Sequence, residues 1–155
     1  MARIRLTTRV DAPRERVFDL ARSVPFHVDS MRETDERVVD GVASGLLDAG
    51  DRLTFRGRHL GLTWDLSATV VALDRPRSFR DEMTAGPFAW LAHDHRFRDE
   101  GETVVVDEVD FGAPLRPLGR LADPVVAFHL RRTLARRNRR LKRAAEGDRW
   151  RDYLA

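Results

Sequence analysis

The sequence predicts an α+β fold in which one strongly curved antiparallel sheet wraps around a single long C-terminal helix. Three observations predict it. An alternating strand opens the chain, two short helical segments follow, and six further strand patterns precede a long run of helix formers. Consecutive strands joined by short turns form antiparallel meanders, and helices in such a chain pack on one face of the sheet.

The size and composition of the chain indicate one globular domain. It has 155 residues, of which 42% are hydrophobic and 34% are charged, which argues against disorder. No apolar run approaches the ~20 residues of a membrane span, and the N-terminus is not a signal peptide. Cysteine is absent, which excludes disulfides and thiolate chemistry and is typical of the cytoplasm. We expect one domain over residues 1–147, a short tail over 148–155, and a cytoplasmic location.

The strand and helix patterns follow one another in a clear order. Ile4, Leu6 and Val10 alternate with arginines in the first strand, and Pro13 then favours a first helical turn. A second short helix is predicted near residues 25–31. The remaining predicted strands are 38–43, 51–59, 62–73, 78–84, 88–98 and 103–111, with Gly, Pro and Asp turn signals between them.

The C-terminal helix is predicted over residues 124–145. Asp123 resembles an N-cap, and a proline in the next position suits the first turn of a helix. The predicted apolar stripe contains Val125, Phe128, Leu134 and Leu141.

The same helix contains many arginines, which raises the question of whether the protein binds nucleic acid. The net charge of the chain is only +3, no aromatic residues interleave with the arginines, and no nucleic-acid-binding motif is present. We therefore interpret the basic residues as the solvated face of the helix, and we do not expect nucleic acid as a partner. The basic residues are Arg131, Arg132, Arg136, Arg137, Arg139, Arg140, Lys142 and Arg143.

Several strings in the sequence resemble a known superfamily. The opening strand followed by DAPRERVFDLA is similar to the start of the START-like, or helix-grip, superfamily, also called SRPBCC or polyketide-cyclase-like. The strings RGRHLGLTWDLSATV, RPRSFRDEM, GPFAWLAHDHRF, VDEVDFGAPLRPLGRLAD and RRTLARRNRRLK resemble a bacterial ligand-binding SRPBCC subfamily, sometimes labelled cell division inhibitor-related. The resemblance implies a sheet gripping the C-terminal helix, with a cavity between them.

The same resemblance singles out a set of polar residues. His59, Asp81, His93, His95 and Asp107 match polar positions that recur in the subfamily. Two departures, Phe55 where tryptophan is expected and Leu60 where phenylalanine is common, imply a change of pocket shape but not of fold.

Strand periodicity independently places these polar side chains on apolar faces. His93 and His95 are two residues apart on a predicted strand, so both point to one face, together with Leu91 and Phe97. Asp81 and Asp107 also alternate with apolar residues. An isolated buried carboxylate is costly, so both aspartates need partners, and the histidines are the obvious ones.

Three interpretations of this polar set stay open. It is a structural network that holds neighbouring strands, a polar patch that orients a ligand in an apolar pocket, or a catalytic or metal site. A metal would need a third ligand that sequence cannot show, and neither a Glu-x-x-His helix nor a cysteine supports one. We expect no bound metal and no cofactor.

The preferred functional hypothesis is a protein that binds a hydrophobic or amphipathic small molecule, as a monomer or a homodimer. The alternatives are an enzyme of cyclase, dehydratase or hydrolase type that uses His and Asp as acid and base, and a structural or interaction protein with a vestigial cavity. Trp64 and Trp90 are expected in the core or pocket wall, and His27 is expected to be exposed. The predicted ligand-binding residues are His59, Trp64, Asp81, Trp90, His93, His95, Asp107 and Phe128.

Overall fold

The computed structural model describes residues 2–113 and 119–154 and confirms the predicted α+β fold. Seven antiparallel strands form one sheet in the order β1-β7-β6-β5-β4-β3-β2. The strands are β1 (Ala2–Val10), β2 (Arg37–Gly41), β3 (Arg52–His59), β4 (Leu62–Asp74), β5 (Ser78–Ala85), β6 (Trp90–Asp99) and β7 (Thr103–Gly112). The helices are α1 (Arg14–Ala21), α2 (Val24–Ser30), α3 (Gly119–Glu146) and α4 (Arg151–Leu154), with a 3-10 turn at Arg32–Thr34.

The two short helices lie between β1 and β2, as the sequence predicts. In α1, Val17, Phe18 and Leu20 are fully buried because their spacing places them on one helical face. The ring of Phe18 packs edge-on against Phe79 and Phe97 of the sheet, with centroid distances of 5.5 and 5.1 Å. This contact anchors α1 on the sheet at one end of α3.

The long helix begins earlier than the sequence predicts. It starts at Gly119, and Pro124 therefore lies inside it. A proline removes one N–H and hence one intrahelical hydrogen bond, but its backbone already has a helical φ, so the helix continues through it.

The phase of α3 also differs from the prediction. Leu141 is fully buried, as expected, but Val125 and Phe128 are exposed, with Phe128 at 65%. The inward-facing stripe runs through Val126, Leu130, Leu134, Arg137 and Leu141, which follow helical spacing one residue out of phase with the predicted stripe at its N-terminal end.

The segment after α3 folds back onto the body of the protein. Trp150, Tyr153 and Leu154 pack against the core beneath α1, and the Tyr153 hydroxyl donates a hydrogen bond to Asp29 at 2.7 Å. In the described ranges, no helix is long and apolar enough to cross a membrane.

Candidate functional site: a cavity with two polar networks

A cavity of about 310 Å³ lies between the inner face of the sheet and α3. Most of its wall is apolar, and alternate residues of each strand face it, as a period of two requires. Helix α3 closes the opposite side with Val126, Leu130 and Leu134. The strand residues facing the cavity include Leu53, Phe55, Gly57 and His59 of β3; Trp64, Leu66 and Ala68 of β4; Phe79 and Asp81 of β5; Leu91, His93 and His95 of β6; and Val109 of β7.

The first polar network forms where β5, β6 and β7 lie side by side. Asp81 is paired with His93, and His95 is paired with Asp107, in the strand register. The side chains connect diagonally: Nε2 of His93 lies 2.8 Å from Oδ1 of Asp107, and Nε2 of His95 lies 2.9 Å from Oδ2 of Asp81. The two imidazole rings stack with centroids 3.7 Å apart.

Asp107 is the buried centre of this network. Its second oxygen accepts a hydrogen bond of 2.7 Å from the amide of Asn138 on α3, and Nδ1 of His95 lies 3.1 Å from its first oxygen in a bent contact. Arg137, only 4% exposed, lies 3.9 Å from the same oxygen and donates to the backbone carbonyl of Ala21. Arg137 thus contradicts the expectation that the arginines of this helix are all solvated, because a buried carboxylate and a buried carbonyl both need a donor.

The contacts shift the pKa values of the two histidines in opposite directions. Burial alone would lower the pKa of His95, but Asp107 and Asp81 on its two sides raise it above its ordinary value. Burial and the neighbouring charge of His95 lower the pKa of His93. Burial would raise the pKa of Asp107, yet its hydrogen bonds to His93 and His95 hold it well below its usual range. Two carboxylates thus lie beside one guanidinium and one imidazole whose pKa is raised.

The second polar network lies near the β3–β4 turn and joins three elements. Glu36 contacts Nε2 of His27 at 3.1 Å and Nε2 of His59 at 3.5 Å, and it accepts a hydrogen bond from the hydroxyl of Thr34. His59 in turn shares a hydrogen bond of 2.9 Å with His129 of α3. Burial would raise the pKa of Glu36, but its two histidine partners lower it. Burial and the charges of His59 and Arg136 lower the pKa of His129.

Gly57 makes room for this second network. A Cβ atom at that position would lie 2.6 Å from Cγ of Glu36 and 3.3 Å from Nε2 of His59. The absence of a side chain at Gly57 is therefore what lets the Glu36 carboxylate reach between the two histidines.

The structure brings most of the predicted site residues together. His59, Trp64, Asp81, His93 and His95 line the cavity, and Asp107 lies beneath His93 and His95.

Two other predicted site residues lie apart from the cavity wall. Trp90 is 37% exposed and packs its indole over Gly112, and Phe128 points to the surface. Phe128 sits on the exposed side of α3 because of the helix phase described above. His27, expected to be exposed, instead lines the cavity and stacks on Phe55 with a centroid distance of 4.2 Å.

Sequence reasoning missed four residues of the two networks. Arg137 and Asn138 lie on the buried side of α3, and a helical projection started from Val126 in place of Val125 would have found them. His129 and Glu36 had no comparable signal, because Glu36 lies in the turn before β2 and meets its partners only through the folded chain.

Asp81, His93 and His95 also place one potential metal-ligand atom each within 4.8 Å of the others. The geometry nevertheless suits hydrogen bonding better than coordination. The Nε2 atoms of both histidines are engaged by carboxylates, and the stacked rings, 24° from parallel, send their in-plane lone pairs side by side instead of toward one point. This arrangement does not favour a metal, and the expectation that none is bound stays a prediction.

Solved structures of other proteins share this architecture. No curated protein matches the sequence. The protein TTHA0849 of Thermus thermophilus superposes with a TM-score of 0.70 at 20% identity, covering 93% of this chain and 99% of that one. The ginseng major latex-like protein 151 of Panax ginseng superposes with a TM-score of 0.65 at 13% identity, covering 94% and 98%.

A third similar structure is the di-domain ARO/CYC BexL from the BE-7585A biosynthetic pathway. It superposes with a TM-score of 0.76 at 16% identity, and the match covers 94% of this chain and 50% of that one. At these identities the structural likeness concerns the fold alone. The sequence itself matches the family described as "Polyketide cyclase / dehydrase and lipid transport" over residues 1–146. With a match that spans the sheet, the short helices and the whole of α3, the chain belongs to the polyketide cyclase / dehydrase and lipid transport family.

Proposed function

We propose that this protein binds a hydrophobic or amphipathic small molecule in the cavity between the sheet and α3. The observation that carries the proposal is the composition of the cavity wall, which is largely apolar and has its histidines and carboxylates gathered into two networks. Burying apolar ligand surface supplies the affinity, at about 25 cal/mol per Å². A few fixed polar groups in an apolar pocket supply orientation.

The polar residues are well suited to orient a ligand because they are already held in place. His93 is fixed by Asp107, His59 is fixed by Glu36 and His129, and the indole of Trp64 donates to the backbone carbonyl of His59. Side chains that are ordered before binding lose little entropy when a ligand arrives. Asp81 keeps 29% of its side chain exposed although it faces the cavity, so its carboxylate remains open to a ligand.

A pair of matched variants tests the binding proposal. Ala68 lines the cavity, whereas Val71 of the same strand faces solvent. Ala68→Phe should fill part of the cavity and abolish most of the fluorescence enhancement of the neutral dye N-phenylnaphthylamine, while Val71→Phe should retain it. Native mass spectrometry of protein purified from its own host should show a retained small molecule. Equal dye binding by both variants, or no dye binding by the unmodified protein, would refute the proposal.

An acid–base enzyme is the second candidate, and the contact between His93 and Asp107 favours it. With Nε2 donating to Asp107, Nδ1 of His93 is a lone pair that has no hydrogen-bond partner within residues 2–113 and 119–154. A neutral imidazole oriented by a carboxylate is a competent general base, and the lowered pKa of His93 favours its neutral form. The fold likeness to an ARO/CYC protein is consistent with such chemistry.

Proton exchange tests the enzymatic candidate directly. In deuterated water, the protein should accelerate exchange of the acidic C–H of an aromatic 1,3-diketone, and His93→Gln should remove most of that acceleration. His27→Gln, which changes a histidine of the other network, is the matched control. Exchange at the uncatalysed rate with the unmodified protein would exclude this candidate for diketone substrates and leave the binding proposal in place.

A further inference from the structure

We infer that the ligand of this cavity is an elongated molecule with an apolar middle and a neutral hydrogen-bonding group at each end. The inference rests on the proposed binding function and adds the class of ligand. Its basis is that the two polar networks line one cavity but contact α3 at His129 and Arg137, eight residues apart, and so mark its two ends.

The distance between the two ends follows from the positions of their contacts along α3. His129 belongs to the second network, and Arg137, eight residues further along, contacts the Asp107 carboxylate beneath His93 and His95. At 1.5 Å per residue, the two levels of the helix are about 12 Å apart. A single ligand that satisfies both networks must therefore span roughly that length.

The wall between the two ends is largely apolar. Leu130 and Leu134 face the cavity from α3 between the two levels, and Leu66 and Leu91 face it from the sheet. Thr133 lies at the same level of α3, and its hydroxyl is buried. A hydroxyl or carbonyl placed in the middle and out of reach of Thr133 would lose its water and find no partner, at a cost of about 1–3 kcal/mol. The two ends therefore accommodate polar groups better than the middle does.

Both ends suit neutral groups better than charged ones. Asp81 and Asp107 of the first network already have His95 and Arg137 as partners, so an added charge would be buried without a counter-ion of its own. The open atoms are a lone pair on His93 and a carboxylate oxygen of Asp81 at one end, and the ring of His129 at the other. Such atoms pair with hydroxyl groups, which both donate and accept.

The test uses three simple alcohols as competitors of the neutral dye N-phenylnaphthylamine. Octanediol with a hydroxyl at each terminal carbon can span the cavity, octanol has one hydroxyl, and butanediol is too short to span it. The variants are His129→Leu for one end and His93→Phe for the other, with His129→Met and Asp81→Asn as the milder changes at the respective ends. Arg132→Gln, exposed on the next turn of α3, is the control.

Octanediol should lose about five- to tenfold in affinity with each end variant, since each removes about one hydrogen bond. Octanol should change less than about twofold in each single variant, because it can reverse and use the remaining end. Butanediol should not distinguish the variants, and Arg132→Gln should behave as the unmodified protein. Any variant that does not fold by circular dichroism is replaced by the milder variant at that end.

Two outcomes would overturn the inference while leaving binding itself intact. One is an equal loss of affinity for octanol and octanediol in the end variants. The other is a failure of every alcohol to displace dye that does bind to the cavity. Absence of dye binding altogether overturns the proposed function instead, so the two failures are distinguishable.

Discussion

His93 and His95 stack face to face, with ring centroids 3.7 Å apart, while both rings reach the same oxygen of Asp107. Two imidazolium ions at that distance would repel strongly in a buried site, so at most one of the two rings carries the extra proton of an imidazolium. The carboxylate that both rings share is thus the group on which the charge balance of the whole network depends. The first predictions concern this carboxylate and this proton.

Replacing Asp107 by asparagine should destabilise the protein by about 3–5 kcal/mol, because it leaves the charges of His95 and Arg137 buried without their partner. Denaturant unfolding measures the loss. The control is Asp110→Asn on the same strand, whose partner Arg3 is exposed, and which should be nearly neutral. Equal effects of the two substitutions would contradict the central role of Asp107.

The free energy of unfolding should pass through a maximum at about pH 6.5, the pKa of histidine in an unfolded chain. Above that pH, His95 with its raised pKa keeps a proton in the native state that the unfolded chain has lost, so stability falls as pH rises. Below it, the unfolded chain protonates His93 and His129, whose native pKa values are lowered, so stability falls as pH falls.

Urea unfolding across about pH 5 to 9 measures this profile. His95→Gln should flatten the alkaline limb, since the group that retains the proton is gone. A profile that keeps rising toward about pH 9, or an alkaline limb unchanged in His95→Gln, is incompatible with the assigned protonation.

Arg137→Gln should destabilise the protein by about 2–3 kcal/mol, because it removes a charged hydrogen bond to the carbonyl of Ala21 and the cation near Asp107. Arg139→Gln, two residues further on and exposed, should leave the unfolding midpoint unchanged. This pair of variants compares the buried arginine with an exposed one. The sequence pattern predicted that all the basic residues of this helix are exposed. An unchanged free energy of unfolding in Arg137→Gln would show that the guanidinium is not needed for stability.

Leu141→Ala should cost about 2–5 kcal/mol, since the side chain is fully buried and its loss leaves a cavity. Phe128→Ala should cost less than about 1 kcal/mol despite removing a larger side chain, because the ring is mostly exposed. Thermal or urea unfolding of both variants checks the assigned phase of α3. A larger loss of stability for Phe128→Ala than for Leu141→Ala would contradict the assigned phase of α3.

Elemental analysis of extensively dialysed protein should find less than one equivalent of zinc, iron or copper. The reason is the stacked orientation of His93 and His95, whose lone pairs do not converge with the Asp81 carboxylate. Addition of zinc should likewise leave the unfolding midpoint nearly unchanged. A stoichiometric metal that also raises the midpoint would show that the histidines rearrange to coordinate it.

The sequence predicted what depends on local periodicity. The spacing of His93 and His95 on one strand determined their common face, and alternation correctly associated Asp81 and Asp107 with apolar faces. Contacts between segments that are far apart in the sequence could not be predicted. Glu36 meets His59, and through it His129, only because the chain closes around the cavity, and no spacing encodes that meeting.

The error in α3 has a simple physical origin. Val125 and Val126 are equivalent as residues, and choosing the first as the start of the apolar stripe rotated the projected face of the first turns by one residue, or about 100°. That rotation put Phe128 in the expected pocket. Arg137 lies on the helix face of Leu134 and Leu141 and was missed because the arginines of α3 were all treated as solvated. Apolar side chains on both sides of the first turns of the helix made the two choices indistinguishable by sequence.

The close approach of Gly57 to Glu36 has a consequence for how sequences of this kind diverge. Any side chain at position 57 would displace the Glu36 carboxylate from between His27 and His59, whereas shortening residue 36 would free the space. The two positions should therefore covary among descendants of a common ancestor: glycine persists wherever glutamate does, and larger residues at 57 are admitted only after residue 36 has changed. In a deep mutational scan, this dependence would appear as a sign change in the effect of Gly57→Ala between the original background and one that already carries Glu36→Ser.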